Sequence, residues 1–413
     1  MTSPSQLAAQ VARRRALWGL CVTEITSWGV LFYAFPVLAP TITTTTRWPA
    51  TVVTAAFSLG LVISALGGIP LGRWLDRHGP RALMSAGSVL GVVAVLCIAT
   101  APNLPLFVAG WVLAGPAMAA TFYPPAFAAV TRWYGPDRVK ALTALTLVAG
   151  FASTVFAPLA AALDAWLGWR GAYLVLAVVL AAVTIPIHVF GLRLPWPPIE
   201  HHRQHGSTAP VRRIVASRGF LALLVSVGLG GFAIYAVVVN QVPLLIGRGV
   251  SPTLAAWALG LGGAGQVLGR LFYAPVLAKL PVVARTVGIF AAGAATTALL
   301  AVLSGPAVAL VAAAILAGVA RGLYTLVQAT AVSDRWGAAA YGTLSAVLTT
   351  PITIATAIAP WAGTSIAAAI GGYPALFALL ALICLAGTVI ALWTAPMRST
   401  RRAAEENGSF LSP

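Results

Sequence analysis

Three ionisable residues stand inside long apolar runs: Glu24, Arg270 and Arg321. A charge at the middle of a membrane helix costs about 2.5–3.5 kcal/mol on insertion scales, so such a residue usually faces a polar cavity. Helical spacing puts Glu24 on one face with Ser27, Trp28 and Leu31. Desolvation favours its neutral form and a nearby arginine its ionised form. Both states suit a proton carrier; a static ion pair is the other reading. Arg321 shares a face with Tyr324 and Gln328. An always-charged planar fork suits a carboxylate or oxyanion. The alternative is a partner for Glu24, and an anion displacing Glu24 from Arg321 would unite the two. Arg270 shares a face with Gln266 and Tyr273 near one end of its run, where snorkelling to the interface also accounts for it. Weaker candidates are Tyr123 at a Tyr-Pro-Pro break, where freed carbonyls can line a cavity; Tyr235, Asn240 and Gln241; and Thr349, Thr350 and Thr353 around Pro351. For each of these, helix packing is the plainer reading.

Other chemistries lack their residues. There are no paired catalytic carboxylates and no Gly-Lys-Ser/Thr phosphate loop, so neither an enzyme nor an ATP-driven pump is expected. Cys21, Cys97 and Cys384 lie far apart in apolar runs, with neither metal nor disulfide spacing. His201, His202 and His205 can bind metal but read as a solvated loop, so no metal or cofactor is expected.

The elements that hold these residues follow from composition. Of the 413 residues, 60% are hydrophobic and 8% charged. A soluble domain carries about 25% charged residues, so the solvent here is lipid. The net charge of +17 would suggest nucleic acid on a soluble chain. The bases instead sit in short clusters between apolar runs, which is a topology signal. About 20 apolar residues cross a hydrocarbon core. Such runs fall at 16–40, 50–73, 83–101, 105–131, 141–165, 170–192, 219–246, 253–277, 285–304, 306–332, 339–367 and 373–395.

With the N-terminus inside, 20 of the 25 Lys and Arg residues lie in inner segments. Arg47, Arg170 and Arg248 lie outside, and Arg270 and Arg321 within helices. Arg13, Arg14 and Arg15 before an apolar run could open a secretory signal. The run from 16 to 40 is too long for that and reads as a retained first helix. The expected location is the inner membrane, multi-pass, with both termini cytoplasmic.

The polar stretch 193–218 reads as a cytoplasmic linker between six-helix bundles at 1–192 and 219–396, followed by a tail at 397–413. The halves repeat: Ala55–Leu61 matches Ala255–Leu261 at an offset of 200, Gly115–Trp133 matches Gly318–Trp336 at 203, and Ala157–Ala161 matches Ala359–Gly363 at 202. Met118 then occupies the place of Arg321, so this arginine is no structural fixture of the repeat. Parallel six-helix repeats predict a substrate site near the midplane between them.

The loop Gly72-Arg73-Trp74-Leu75-Asp76-Arg77-His78-Gly79-Pro80-Arg81 resembles the signature Gly-x-Leu-x-Asp-Arg-x-Gly-Arg-Lys of the major facilitator superfamily, with Arg81 one position late. The resemblance implies an all-α membrane protein of twelve helices in two pseudo-symmetric bundles. It also implies that Gly72, Asp76, Arg77, Gly79 and Arg81 form a conformational latch. Glycines permit close approach and a tight turn, and Asp76 can pair with bases and cap a helix N-terminus. The alternative is a solvated positive loop. The second half lacks the motif, with Val276 where Asp76 would repeat.

Trp28-Gly29, Thr146 to Thr154, Gly168-Trp169-Arg170, Gln266 to Arg270 and Ala320-Arg321-Gly322 resemble a bacterial branch that includes arsenic-efflux carriers and, more distantly, oxalate and monocarboxylate carriers. In the latter an arginine of helix eight binds the substrate carboxylate, and Arg270 is similar to it. The expected function is therefore a proton-coupled secondary transporter for a small anionic or oxyanionic solute. Arg321, Arg270, Tyr324, Gln328, Gln266, Trp28 and Tyr123 would bind the solute, and Glu24 would couple protons. The alternative is a multidrug/proton antiporter exporting amphipathic compounds, weakened by the missing arginine in Gly110–Gly115 and by Ala157-Pro158-Leu159-Ala160-Ala161 where paired glycines stand in that group. The expected partners are the solute, protons and the bilayer, with no nucleic acid, and the expected state is a monomer.

Overall fold

The computed structural model describes residues 4–196, 208–337 and 341–395. His201, His202, Arg203, His205 and the tail at 397–413 lie outside the described residues. Within them, all regular structure is helical. Helix α1 (Pro4–Trp28) runs through a π-turn, Gly29–Tyr33, into α2 (Ala34–Thr46). There follow α3 (Ala50–His78), α4 (Pro80–Thr100), α5 (Leu104–Thr121), α6 (Tyr123–Tyr134), α7 (Arg138–Ala149) and α8 (Ala152–Pro186). The short α9 (Thr208–Val215) precedes α10 (Arg218–Gly247), α11 (Pro252–Val276), α12 (Val282–Val302), α13 (Ala307–Thr330), α14 (Ser333–Trp336), α15 (Tyr341–Ala369) and α16 (Tyr373–Ala391).

Among the described residues, nine segments are long and apolar enough to cross a membrane. One of them, Leu104–Gly191, has 88 residues. At 1.5 Å per residue that is about four times the hydrocarbon thickness, so it must fold back. It does so at Gly135 and Gly168, whose φ values of 50° and 67° are open to glycine and costly for other residues. That segment therefore makes three passes, and α11 adds another. The described helices are consistent with twelve crossings. Val178, Leu382 and Trp166 are among many large apolar side chains left exposed, as a lipid-facing belt requires.

Two elements extend past the expected spans. The first helix begins at Pro4, not 16. Arg13 donates to the Trp133 carbonyl in the last turn of α6 (3.2 Å), where a helix C-terminus favours a cation. The expected linker also contains α9, whose Val211, Ile214 and Val215 pack on the core of the second half.

Loops with most of the bases share one end of the molecule, the basic face. The three bases expected at the far face have local reasons to be there. Arg170 donates to the Ala101 carbonyl at the end of α4 (2.7 Å), and Arg248 to Leu300 and Ala301 at the end of α12 (2.6 and 2.7 Å). These carbonyls have no partner within their own helices. Arg47 is the left-handed C-cap of α2.

Small residues bring the helices together. In the first half α3 and α4 pack on α5; in the second α11 packs on α13 and α12 on α16. A Cβ on Gly60 would meet the Trp111 carbonyl at 2.7 Å, and one on Gly115 the Gly60 carbonyl at 2.9 Å. In the second half Gly262 faces the Ala314 carbonyl, and a Cβ on Gly318 would run into the Gly262 carbonyl. Gly60 thus corresponds to Gly262, an offset of 202. The offset of 200, which pairs Gly60 with Gly260, is two residues out of step: Gly260 faces α8 instead, with Pro158 and Ser153.

The halves meet where α3 packs on α15, α8 on α11 and α2 on α10. Their apolar cores merge on the far side. Phe32, Leu38 and Ala160 from one half and Val242, Leu245 and Leu259 from the other share one buried cluster. Toward the basic face the buried clusters stay within their own halves. The molecule is sealed at the far face.

Gly318→Ala should overpack the α11–α13 crossing, at a cost of about 1–3 kcal/mol. A lowered unfolding temperature in detergent is expected, whereas Gly228→Ala, which meets open space on α10, should leave it unchanged.

Candidate functional site

A cavity of about 70 Å³ lies between the halves. The first half supplies Trp28, Phe32, Tyr33, Tyr123 and Ala149. The second supplies Ile234, Tyr235 and Val238 from α10, Gln266 and Arg270 from α11, and Arg321, Tyr324 and Thr325 from α13. Of the seven residues expected to bind solute, six line it. Gln328, two turns beyond Arg321, does not.

The wall of the first half depends on local backbone. In a regular α-helix Trp28 and Tyr33 would point about 140° apart. The π-turn at Gly29–Tyr33 brings both to the cavity, a use common for such turns at functional sites. Gly29 makes room, because any Cβ there would enter the Phe156 ring. Trp28 stacks on Phe122 with centroids 4.0 Å apart, at the break between α5 and α6. Phe122 is extended there (φ −85°, ψ −172°), since Pro124 and Pro125 have no N–H to continue the ladder. Phe32 meets Tyr235 edge-on across the two halves (6.0 Å).

Both arginines reach this cavity. The Arg321 Nε donates to Gln266 Oε1 (2.6 Å), and its Nη2 is buried without a partner. The Arg270 Nη1 donates to the Thr146 carbonyl of α7 (2.5 Å) and its Nε to Thr325 Oγ1 (3.3 Å). Arg270 bridges the halves rather than snorkelling to the interface. The ion pairs among the described residues are Asp76–Arg132 and Arg285–Asp334, both remote from the cavity lining. Among those residues no carboxylate is paired with either cavity arginine.

Glu24 is fully buried and lies behind the wall. Trp28 Nε1 donates to its Oε2 (3.1 Å), while its Oε1 and the neighbouring Ser27 Oγ have no partner. The Glu24–Arg321 pair is not made. Tyr324 lines the cavity, but its hydroxyl donates to the Val227 carbonyl of α10 (2.6 Å).

The signature loop is engaged within its own half. Asp76 Oδ1 pairs with Arg132 of α6 (2.6 Å). Arg132 stacks on Trp196 (4.0 Å), and Trp196 Nε1 donates to the Asp76 carbonyl (3.1 Å). Gly79 (φ 83°) turns the chain against the Trp196 ring, and Arg81 Nε donates to the Val189 carbonyl (2.8 Å). The N-terminus of α4 has no side-chain cap, so Asp76 does not serve there. Gly72 faces open space and Arg77 is exposed. Sequence reasoning missed Tyr33, Thr325, Arg132 and Trp196. Tyr33 carries no periodic signal, because the π-turn breaks the period. Arg132 reads in sequence as a loop charge, although the Gly115–Trp133 repeat already carries it to a helix end.

Two sets of membrane-crossing helices enclose a mainly aromatic and apolar cavity into which two arginines project, an arrangement suited to a membrane transporter. The model of the Major Facilitator Superfamily matches residues 20–306 and 241–411, and the chain belongs to that superfamily. It is 25% identical over 169 residues to the uncharacterized MFS-type transporter YcxA of Bacillus subtilis (strain 168). That alignment covers 41% of this chain and 40% of the relative. Among solved structures, a bacterial homologue of the human lysosomal transporter Spinster, inward-facing and occupied, aligns with a TM-score of 0.69 at 16% identity, over 95% and 97% of the two chains. The nucleoside transporter NupG aligns at 0.71 and 12%, over 93% and 99%. A POT family transporter in complex with 5-aminolevulinic acid aligns at 0.72 and 13%, over 92% and 95%. These likenesses establish the fold.

Tyr324→Phe removes one buried hydrogen bond, a loss of about 0.5–1.5 kcal/mol. Thermal unfolding should register it, while the affinity for transported solute should stay unchanged.

Proposed function

We propose that this chain is a secondary active transporter for a small anionic or oxyanionic solute, working by alternating access and coupled to protons. One observation carries the reading: Arg270 and Arg321 line the same cavity with no carboxylate among the described residues paired to either. In a medium of low dielectric, unbalanced positive charge is costly unless a ligand supplies the counter-charge. A bound anion does so. Gln266 and Thr325 hold the two guanidinium groups in place, and Tyr33 and Tyr123 line the wall opposite them.

The basic face is taken as cytoplasmic by the distribution of Lys and Arg. Glu24 suits proton coupling because it is buried beside the cavity wall and bonded to it through Trp28. Solute contact with the Trp28 ring would alter the hydrogen bond that Glu24 accepts. The multidrug alternative gains nothing from the site: about 70 Å³ is small for bulky drugs, and two arginines repel cations. The resemblance to oxalate and monocarboxylate carriers is compatible with this cargo, whereas the resemblance to arsenic-efflux carriers points to a neutral one, since trivalent arsenic is uncharged at neutral pH.

The test is solute binding and proteoliposome flux with small carboxylates and oxyanions. Hydrogen bonds to a charged group contribute about 1.5–3 kcal/mol. Arg321→Ala and Arg270→Ala should each therefore weaken binding by roughly tenfold to a hundredfold. Unchanged affinity for the best ligand in both variants would exclude the anion site. Glu24→Gln should abolish transport driven by a pH gradient and leave solute exchange intact; a normal gradient response would remove Glu24 from coupling.

A further inference from the structure

A wider cavity, about 500 Å³, lies at the basic face of the first half. It forms where the turn from α3 to α4, His78 to Arg81, meets the chain just past α8, Leu192 to Trp196. Its ionisable lining is His78, Arg81 and Arg193, with no acid among them. Asp76, the acid of the same loop, is paired with Arg132.

The cationic groups are held but not neutralised. Arg81 Nε donates to the Val189 carbonyl (2.8 Å), and its two Nη groups have no partner among the described residues. Arg193 lies over the Phe190 ring (5.1 Å) and makes no hydrogen bond or ion pair among those residues. His78 Nδ1 donates to the Trp74 carbonyl (3.0 Å), and its ring stacks on Trp74 (4.5 Å). The first turn of α4 has no side-chain cap, and free N–H groups at a helix start add to the attraction for an anion.

Depth separates this cavity from an ordinary solvated loop. Val189 and Phe190 belong to the π-turn Ile187–Gly191 that ends α8. Phe190 is 62% exposed, as a side chain facing acyl chains would be. Both guanidinium groups are tied to that turn, so they lie where hydrocarbon gives way to headgroups. Trp74 and Trp196 stand at the same level, which indoles favour. Basic pockets at the cytoplasmic ends of membrane helices suit anionic headgroups.

We propose that this cavity binds the phosphate of an anionic phospholipid from the leaflet at the basic face. Arg81 and Arg193 pair with its oxygens, and the acyl chains run past Phe190. Gly79 turns the chain against Trp196, and Trp196 Nε1 donates to the Asp76 carbonyl. A bound lipid therefore sits against the element that braces the Asp76–Arg132 pair. The site is independent of the central cavity and of the cargo.

The experiment titrates the purified full chain in detergent with dioleoyl phosphatidylglycerol and with dioleoyl phosphatidylcholine, reading lipid bound by native mass spectrometry and the unfolding temperature. Phosphatidylglycerol should bind and raise that temperature, and phosphatidylcholine should not. Arg81→Gln with Arg193→Gln should weaken phosphatidylglycerol binding by tenfold or more, roughly the weight of two arginines at an anionic surface. Arg193→Gln alone, which breaks no hydrogen bond, should show part of that loss with an unchanged unfolding temperature in phosphatidylcholine. Arg73→Gln with Arg77→Gln removes the same charge from exposed positions of the same loop outside the cavity, and should leave binding intact. Equal binding of the two lipids would overturn the proposal. So would an equal loss in the Arg73 and Arg77 pair, which would mean diffuse attraction, or an equal stabilisation by glycerol 1-phosphate, which would mean a soluble phosphate as the ligand.

Discussion

Unbalanced charge in a low-dielectric interior is the constraint on which the rest of the structure turns. Two guanidinium groups face one small cavity, and the nearest buried acid, Glu24, is bonded to Trp28 instead. A protein that needed Arg321 only for packing would match it with a carboxylate or carbonyls, as the Thr146 carbonyl and Thr325 hydroxyl partly match Arg270. Arg335 shows that solution: buried near the basic face, it donates to the Thr394 and Ala331 carbonyls and to the hydroxyls of Thr286 and Thr394. Arg321 has one neutral partner and a bare nitrogen. The difference separates an arginine that holds structure from one that awaits a ligand.

The scaffold sets that charge in place by close backbone contact. Gly262 and Gly318 let α11 and α13 cross at backbone distance, and a Cβ on Gly322 would run into the Gln266 carbonyl. Gln266 and Arg321, on these same two helices, are thereby brought within hydrogen-bond reach. The equivalent seam in the first half, Gly60 with Gly115, is built the same way but carries Met118 where Arg321 stands. Symmetric packing thus supports an asymmetric site. Without a hydrophobic drive between helices in lipid, such small-residue seams supply much of the association.

Much of this was legible in the sequence because lipid imposes strict rules. Run lengths and base clusters marked the crossings, since an apolar run of about 20 residues satisfies its own backbone in hydrocarbon as a helix and bases stay on one side. Glu24, Arg270 and Arg321 were legible because a charge in an apolar run is conspicuous. What escaped was local irregularity. The π-turn that brings Tyr33 to the cavity depends on how Gly29 fits Phe156, a contact distant in sequence. The partner of Asp76 escaped too, because Arg132 and Trp196 come to it from 56 and 120 residues away. Gln328 failed in the other direction: sharing a helical face with Arg321 did not bring it to the cavity.

The most direct measurement is a crystal structure of the purified chain soaked with an anomalously scattering oxyanion or carboxylate, such as selenate or bromoacetate. An anomalous peak is expected beside Arg270 and Arg321, with the ligand's oxygens within hydrogen-bond distance of both guanidinium groups, and it should be lost in Arg321→Ala. An empty cavity beside occupied surface sites, or a peak that survives in that variant, would contradict the anion site.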